Sequence, residues 1–230
     1  QLLDKDAQWQ QLLLGMLGVN LIHACFSYEN PEKIILALAD NLDQDRFQVD
    51  MFSIVGPDFA QVDNRLMSLL LVKNGLSHSA MFGPKGNVLQ ASEALYKKNV
   101  LVLRGRFRPV TNVSVDMMLN GLKVIKEESE MEKSHLLAIT ELALHDLTLA
   151  GEIDEADYLD RVDLLCALGQ TVLISNYREH YKLASYLSNI TQRMKLRIIC
   201  GLGNLKDIFD ESYYENLKGG IIESFAQLFA

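Results

Sequence analysis

The chain has 230 residues, 49% of them hydrophobic and 23% charged, an ordinary globular make-up with enough length to bury a sizeable core. Its formal net charge of −8 excludes nucleic acid as the main partner, because neutralising phosphates requires a basic face. Cys25, Cys166 and Cys200 are dispersed in apolar surroundings without metal-ligand spacing, so core thiols in a reducing, cytoplasmic compartment are expected, and no metal site.

In chain order, the opening QLLDKD lacks a methionine and leads almost at once into a helix, so it reads as the edge of a piece of a longer chain. Residues 7–27 predict one helix, apolar around most of its circumference and therefore expected to be buried. Its most apolar stretch, 12–26, holds Asn20 and His23 and is too short to span a bilayer; no membrane partner is expected, and His23 reads as a core histidine. Asn30-Pro31 starts a second helix, and 41–46 is a polar turn. The alternation over 47–55 predicts a strand, 58–74 a helix stopped by Gly75, and 79–90 a hairpin turning at Gly83-Pro84-Lys85-Gly86-Asn87. A short helix over 91–98 completes a helix-rich first half, 1–98, which could fill out the core or form the interface of a homo-oligomer.

From residue 99 the pattern becomes regular. Near-continuous apolar runs at 100–103, 136–142, 171–175 and 196–200 predict strands, and 113–127, 154–168 and 177–190 predict helices between them. Connections too long for hairpins imply parallel strands covered by helices on both faces. The fold expected is one α/β domain over 1–230, a mainly parallel Rossmann-like sheet with an α-rich N-terminal portion. The chain closes on an aromatic turn at Tyr213-Tyr214 and a helix over 221–229.

Ligands of open parallel sheets bind beyond the carboxyl ends of the strands. The first run ends in Arg104, Gly105, Arg106 and Arg108, three arginines in a loop that opens a helix. Free N–H groups, the helix dipole and guanidinium forks make such a loop an anion site; alternatively its arginines pair with the chain's acids. The second run delivers Glu141, His145 and Asp146, where Glu141 could meet a metal, a ribose hydroxyl or a base edge, or pair with one of the arginines. The third delivers Ser175, Asn176 and Arg178, and the fourth Gly201, Gly203 and Asn204, within CGLGN, a phosphate loop or a plain strand-to-helix turn. The acids at 154–163 read as a solvated helix start. Neither a Walker A loop nor a G-x-S-x-G elbow is present. The partner these features suit is a small phosphorylated ligand.

The segment GRFRPVTNVSVDMM resembles the first motif of the nucleotidyltransferases that include pantetheine-phosphate and nicotinate-nucleotide adenylyltransferases. Gly105, Phe107, Pro109, Val110 and Thr111 match it; Arg108 replaces its acid, Val113 its glycine and Ser114 its histidine. Ile174, Ser175, Asn176 and Arg178 echo the second motif. Segments such as LGVNLIHACF and YLDRVDLLCALGQTVLISNY are similar to the C-terminal half of longer bacterial proteins of the nicotinate- or nicotinamide-nucleotide adenylyltransferase type. The resemblance implies adenylyl transfer from ATP with Mg2+. In it Arg104, Arg106, Arg108 and Arg178 would clamp phosphates, and Thr111 and Ser114 would donate hydrogen bonds. A non-catalytic ligand-binding or assembly module on the same scaffold is the alternative, because the loss of the histidine weakens stabilisation of the transferring phosphate.

Overall fold

Apolar runs without polar alternation have to be covered on both faces, and four of them form the parallel centre of the molecule. In the computed structural model, which describes residues 2–128, 135–149 and 151–229, these are β3 (Asn99–Arg104), β4 (Leu136–Ala143), β5 (Thr171–Ser175) and β6 (Leu196–Ile199). The hairpin strands β1 (Ser79–Phe82) and β2 (Val88–Leu89) extend the sheet beyond β5 in the antiparallel sense, giving the order β2-β1-β5-β4-β3-β6. In register, Leu103 stands beside Thr140 of β4 and Ile199 of β6. The chain therefore steps from β3 to β4 to β5 in one direction and returns across the sheet to place β6 against β3. Strand order reverses at the β3–β6 gap.

Each face has its own helices. Leu101, Leu103, Leu142, Val172 and Ile174 meet Met118 and Ile125 of α5 (Asn112–Glu128), Val162 and Leu165 of α7 (Glu155–Ala167), and Leu69 and Val72 of α3 (Asn64–Lys73). Val100, Val102, Ile139 and Leu173 face the other way, toward Leu183 and Leu187 of α8 (His180–Ile190) and Ala91 at the start of α4 (Ala91–Ala94). Gly121 lets α5 lie close over the sheet, since a Cβ there would come within 2.6 Å of Ile199 Cδ1. The C-terminal α10 (Gly220–Leu228) packs on α8.

The N-terminal portion adds a further layer. Leu13 of α1 (Ala7–Ser27) and Ile35 of α2 (Pro31–Ala37) pack with Phe47, Leu76, and Met67 and Leu71 of α3. Helix α3 thus presents one side to the sheet and the other to this layer.

Several expectations are corrected. Residues 47–55 form no strand: Phe47 makes one isolated bridge to Leu2, Val49 N–H donates to the Leu76 carbonyl, and Ile54 is held by the Asn64 side chain. The expected helix over 58–74 starts only at Asn64, because the Asp63 carboxylate caps the Arg65 N–H. Helix α1 is not buried: only Leu13 and Ala24 on it are. His23 and Cys25 are consequently exposed, His23 lying 3.3 Å from Ser27 Oγ, whereas Cys166 is buried and Cys200 half-buried. Two short helices, α6 (Leu144–Thr148) and α9 (Leu202–Ile208), begin directly after β4 and β6.

Candidate functional site

A pocket of about 200 Å³ opens where the strand order reverses, at the carboxyl ends of β3, β4 and β5. Arg104, Gly105 and Arg106 come to it from β3, and His145 and Asp146 from α6. Arg178, Glu179 and His180 enter at the start of α8, and Asn204, Asp207, Tyr213 and Tyr214 close it from the C-terminal segment.

Its floor is a buried ion pair. Glu141 is fully buried and Arg104 is 6% exposed. Arg104 Nε donates to Glu141 Oε2 at 2.6 Å and Nη2 to Oε1 at 3.0 Å, and Ser175 Oγ donates to Oε1 at 2.6 Å. The guanidinium also donates to the carbonyls of Tyr177 at 2.7 Å and Arg178 at 2.8 Å. A buried pair offsets its desolvation only when its remaining donors and acceptors are filled, as most are here. Of the roles open to Glu141, the ion pair with an arginine is the one observed. The pair also fixes the β5–α8 loop, and with it the position of Arg178.

The β3–α5 loop divides its three arginines. Arg161 of α7 donates from Nη1 to the Arg106 carbonyl at 3.1 Å and from Nη2 to Asp157, fastening the loop to α7. Arg108 turns the same way, with Nε 3.1 Å from Asp157 Oδ1. Arg106 points to the pocket, half-restrained by Asp146 Oδ1 at 3.4 Å. Of the acids at 154–163, Asp154, Glu155 and Asp160 are exposed at or near the start of α7 and Asp163 is exposed while also pairing with Arg65, whereas Asp157 is half-buried between Arg161 and Arg108. Phe107 is buried with φ +47°, in the left-handed region, and its ring lies where a Cβ on Gly105 would meet it at 3.1 Å. Gly105 therefore makes room for a side chain of its own loop.

Thr111 does not face the pocket. Its Oγ1 accepts from the Ser114 N–H at 3.3 Å and lies 3.2 Å from Ser114 Oγ, so it caps α5. Ser114 lines a separate apolar pocket between α5 and α7. Of the residues expected at the site, Arg104, Gly105, Arg106, Arg178 and Asn204 line one pocket. Arg108, Thr111 and Ser114 lie outside that lining, as do Asn176, Gly201 and Gly203, while Glu141 and Ser175 lie beneath it.

Other groups at the pocket carry weaker marks in the sequence. The guanidinium of Arg178 sits 4.9 Å above the Tyr213 ring, and Tyr214 Oη donates to the Ile208 carbonyl at 2.7 Å. Helix α8 has no side-chain cap, leaving its first N–H groups outside the helical ladder. His180, its first residue, is 8% exposed, and burial, with the Arg104 charge second, pushes its imidazole down to about 4. It is neutral at physiological pH. Asn204, after the fourth apolar run, is the sequence's pointer to the C-terminal wall; Asp207, Tyr213 and Tyr214 join it there, and nothing in the spacing of His180 points to the pocket.

No known protein family, curated protein or solved structure matches the chain. Among the described residues no three His, Cys, Asp or Glu side chains come together as a metal cage, and no helix is long and apolar enough to cross a membrane.

Proposed function

We propose that the protein binds a small phosphorylated ligand, of nucleotide type, in the pocket at the β3–β6 reversal of a Rossmann-like sheet. The observation that carries this reading is the convergence of Arg106, Arg178 and the uncapped start of α8 on one cavity. Arginine forks and unpaired helix N–H groups suit phosphate oxygens, and the Arg178–Tyr213 stack offers a flat surface beside them. The acids Asp146, Glu179 and Asp207 also line the cavity, so the site suits an anion that brings its own cation or a sugar with hydroxyls to donate. Mg2+ would then arrive on the ligand's phosphates. The free thiols suit a reducing, cytoplasmic setting.

Binding without turnover is better supported than adenylyl transfer. Thr111 and Ser114, the hydroxyls that the resemblance to nucleotidyltransferases would use, bond to each other and lie outside the lining. Thermal denaturation with ATP, nicotinate mononucleotide or nicotinamide mononucleotide, each with and without Mg2+, tests the site. A ligand at ten times its Kd stabilises by about 1.4 kcal/mol, a shift of roughly 3 °C for a chain of this size. The shift is expected for wild type and lost in Arg106→Ala and Arg178→Ala; no shift at millimolar ligand overturns the proposal. Pyrophosphate release by wild type but not by Arg106→Ala would establish transfer instead.

A further inference from the structure

A larger and separate groove, of about 610 Å³, lies between α8, the α4 segment and α10, and its size falls within the roughly 300–1,000 Å³ of small-molecule sites. Three tilted rings run in a row along it: His78, Tyr177 and Tyr186, with successive centroids 5.4 and 5.1 Å apart. Tyr186 Oη lies 2.5 Å from Ser79 Oγ, which fixes one end of the row. Tyr96, 52% exposed, adds a fourth ring, and the side-chain amides of Gln48, Asn189, Gln192 and Gln227 share the lining.

We infer that this groove binds a neutral oligosaccharide. Charge is the first reason. No Asp or Glu is among the described residues that line it, although the chain has 30 acids. Its ammonium, Lys182, is 3.0 Å from Glu179 Oε1, and burial lowers the His78 imidazole below its ordinary range, so that ring is neutral at physiological pH. What the lining offers is amides and hydroxyls, which both donate and accept. A matching ligand has to do the same at many points without a charge, as a polyhydroxylated chain does. The rings are the second reason: a pyranose has a flat C–H face for an aromatic ring and hydroxyls around its rim for the amides. An extended peptide would instead add to a sheet edge, and neither edge strand, β2 nor β6, contributes to the lining. The backbone beside the groove gives a third. Gln192 and Arg193 both have φ +59° where α8 closes with the Arg193 N–H on the Ser188 carbonyl at 2.8 Å, and Lys97, next to Tyr96, has φ +51°. Glycine adopts this conformation without steric cost, yet Gln192 keeps an amide there.

Isothermal titration with maltotriose, cellotriose and the N-acetylglucosamine trimer, each to about 10 mM, reaches tenfold above a Kd of about 1 mM. Binding of at least one is expected, unaffected by saturating ATP with Mg2+. Tyr96→Ala and Gln192→Gly are each expected to weaken it about tenfold, the scale of one lost ring contact or hydrogen bond. Gln192→Gly relieves the left-handed residue, so its melting temperature should stay level or rise while binding falls, a combination that a purely structural Gln192 would not give. No binding of any of the three, full affinity in both variants, or competition by ATP overturns the inference. So does a titration in which adenosine or an uncharged polar peptide binds and the saccharides do not.

Discussion

Glu141 accepts hydrogen bonds from Arg104 and Ser175 in a place that water does not reach, and Arg104 in turn holds the two carbonyls that lead into α8. The energetic consequence is asymmetric. Removing one partner leaves a charge buried without its counter-ion, which typically costs 3–5 kcal/mol, whereas replacing both by apolar groups is often nearly neutral. Glu141→Gln and Arg104→Met are therefore each expected to lower unfolding free energy by about 3 kcal/mol or more in urea titration. The double variant Arg104→Met/Glu141→Leu should recover much of that loss. If it instead loses the sum of the two, the residues do not act as a pair. Ser175→Ala, which removes one hydroxyl donor, is expected to cost only about 1–3 kcal/mol. The sequence places Arg104 and Glu141 at the ends of successive apolar runs, so an ion pair between Glu141 and one of the arginines is among the readings it offers; it does not show the two carbonyls, because those depend on how the next loop folds back.

At the scale of elements, the strands were legible where burial alone makes them. β5 runs from Thr171 to Ser175 as expected, because an apolar run between Gly169 and Asn176 has only one way to be satisfied inside a parallel sheet. The same logic failed over 47–55. Strand preference reflects packing against neighbours more than the backbone itself, and this segment finds the loop at Leu76 and the Asn64 side chain instead of a sheet edge. Helix α1 failed for the opposite reason: apolar composition announces a surface to be covered, not what covers it. The β3–α5 loop shows a third limit. Its composition suggested an anion cradle at the start of α5, but Arg161 and Asp157 draw one side of it to α7 and Thr111 fills the cap. A buried Phe107 over Gly105 then sets the course of the chain. Gly105→Ala puts a methyl within 3.4 Å of three ring atoms, so a loss of about 1–3 kcal/mol is expected from overpacking. Combined with Phe107→Leu, which shortens the ring side, it should cost less than the two single losses added together; strict additivity would mean that the ring is not what Gly105 accommodates.

Across the whole molecule, the site depends on strand order, which no local pattern encodes. Four polar strand ends were visible in the sequence, yet which of them meet follows only from β6 pairing with β3. The same order leaves the N-terminal layer joined to the sheet mainly through α3. Leu69 and Val72 pack toward the strands, while Met67 and Leu71 pack toward Leu13, Ile35 and Phe47. A helix shared by two clusters couples them, since losing either cluster removes one buried side of the same element. The prediction is that both unfold together. Trp9, the single tryptophan, lies on α1 with the Arg46 guanidinium 5.2 Å from its ring, and so reports the N-terminal layer by fluorescence. Far-UV circular dichroism reports the helices and the sheet. At one protein concentration the two urea transitions should coincide in wild type. Leu71→Ala, at a position 2% exposed and facing only the N-terminal cluster, should shift both midpoints equally, by about 2–5 kcal/mol in stability. A variant in which fluorescence moves to lower urea while circular dichroism stays in place would show that the layer folds as a separate unit.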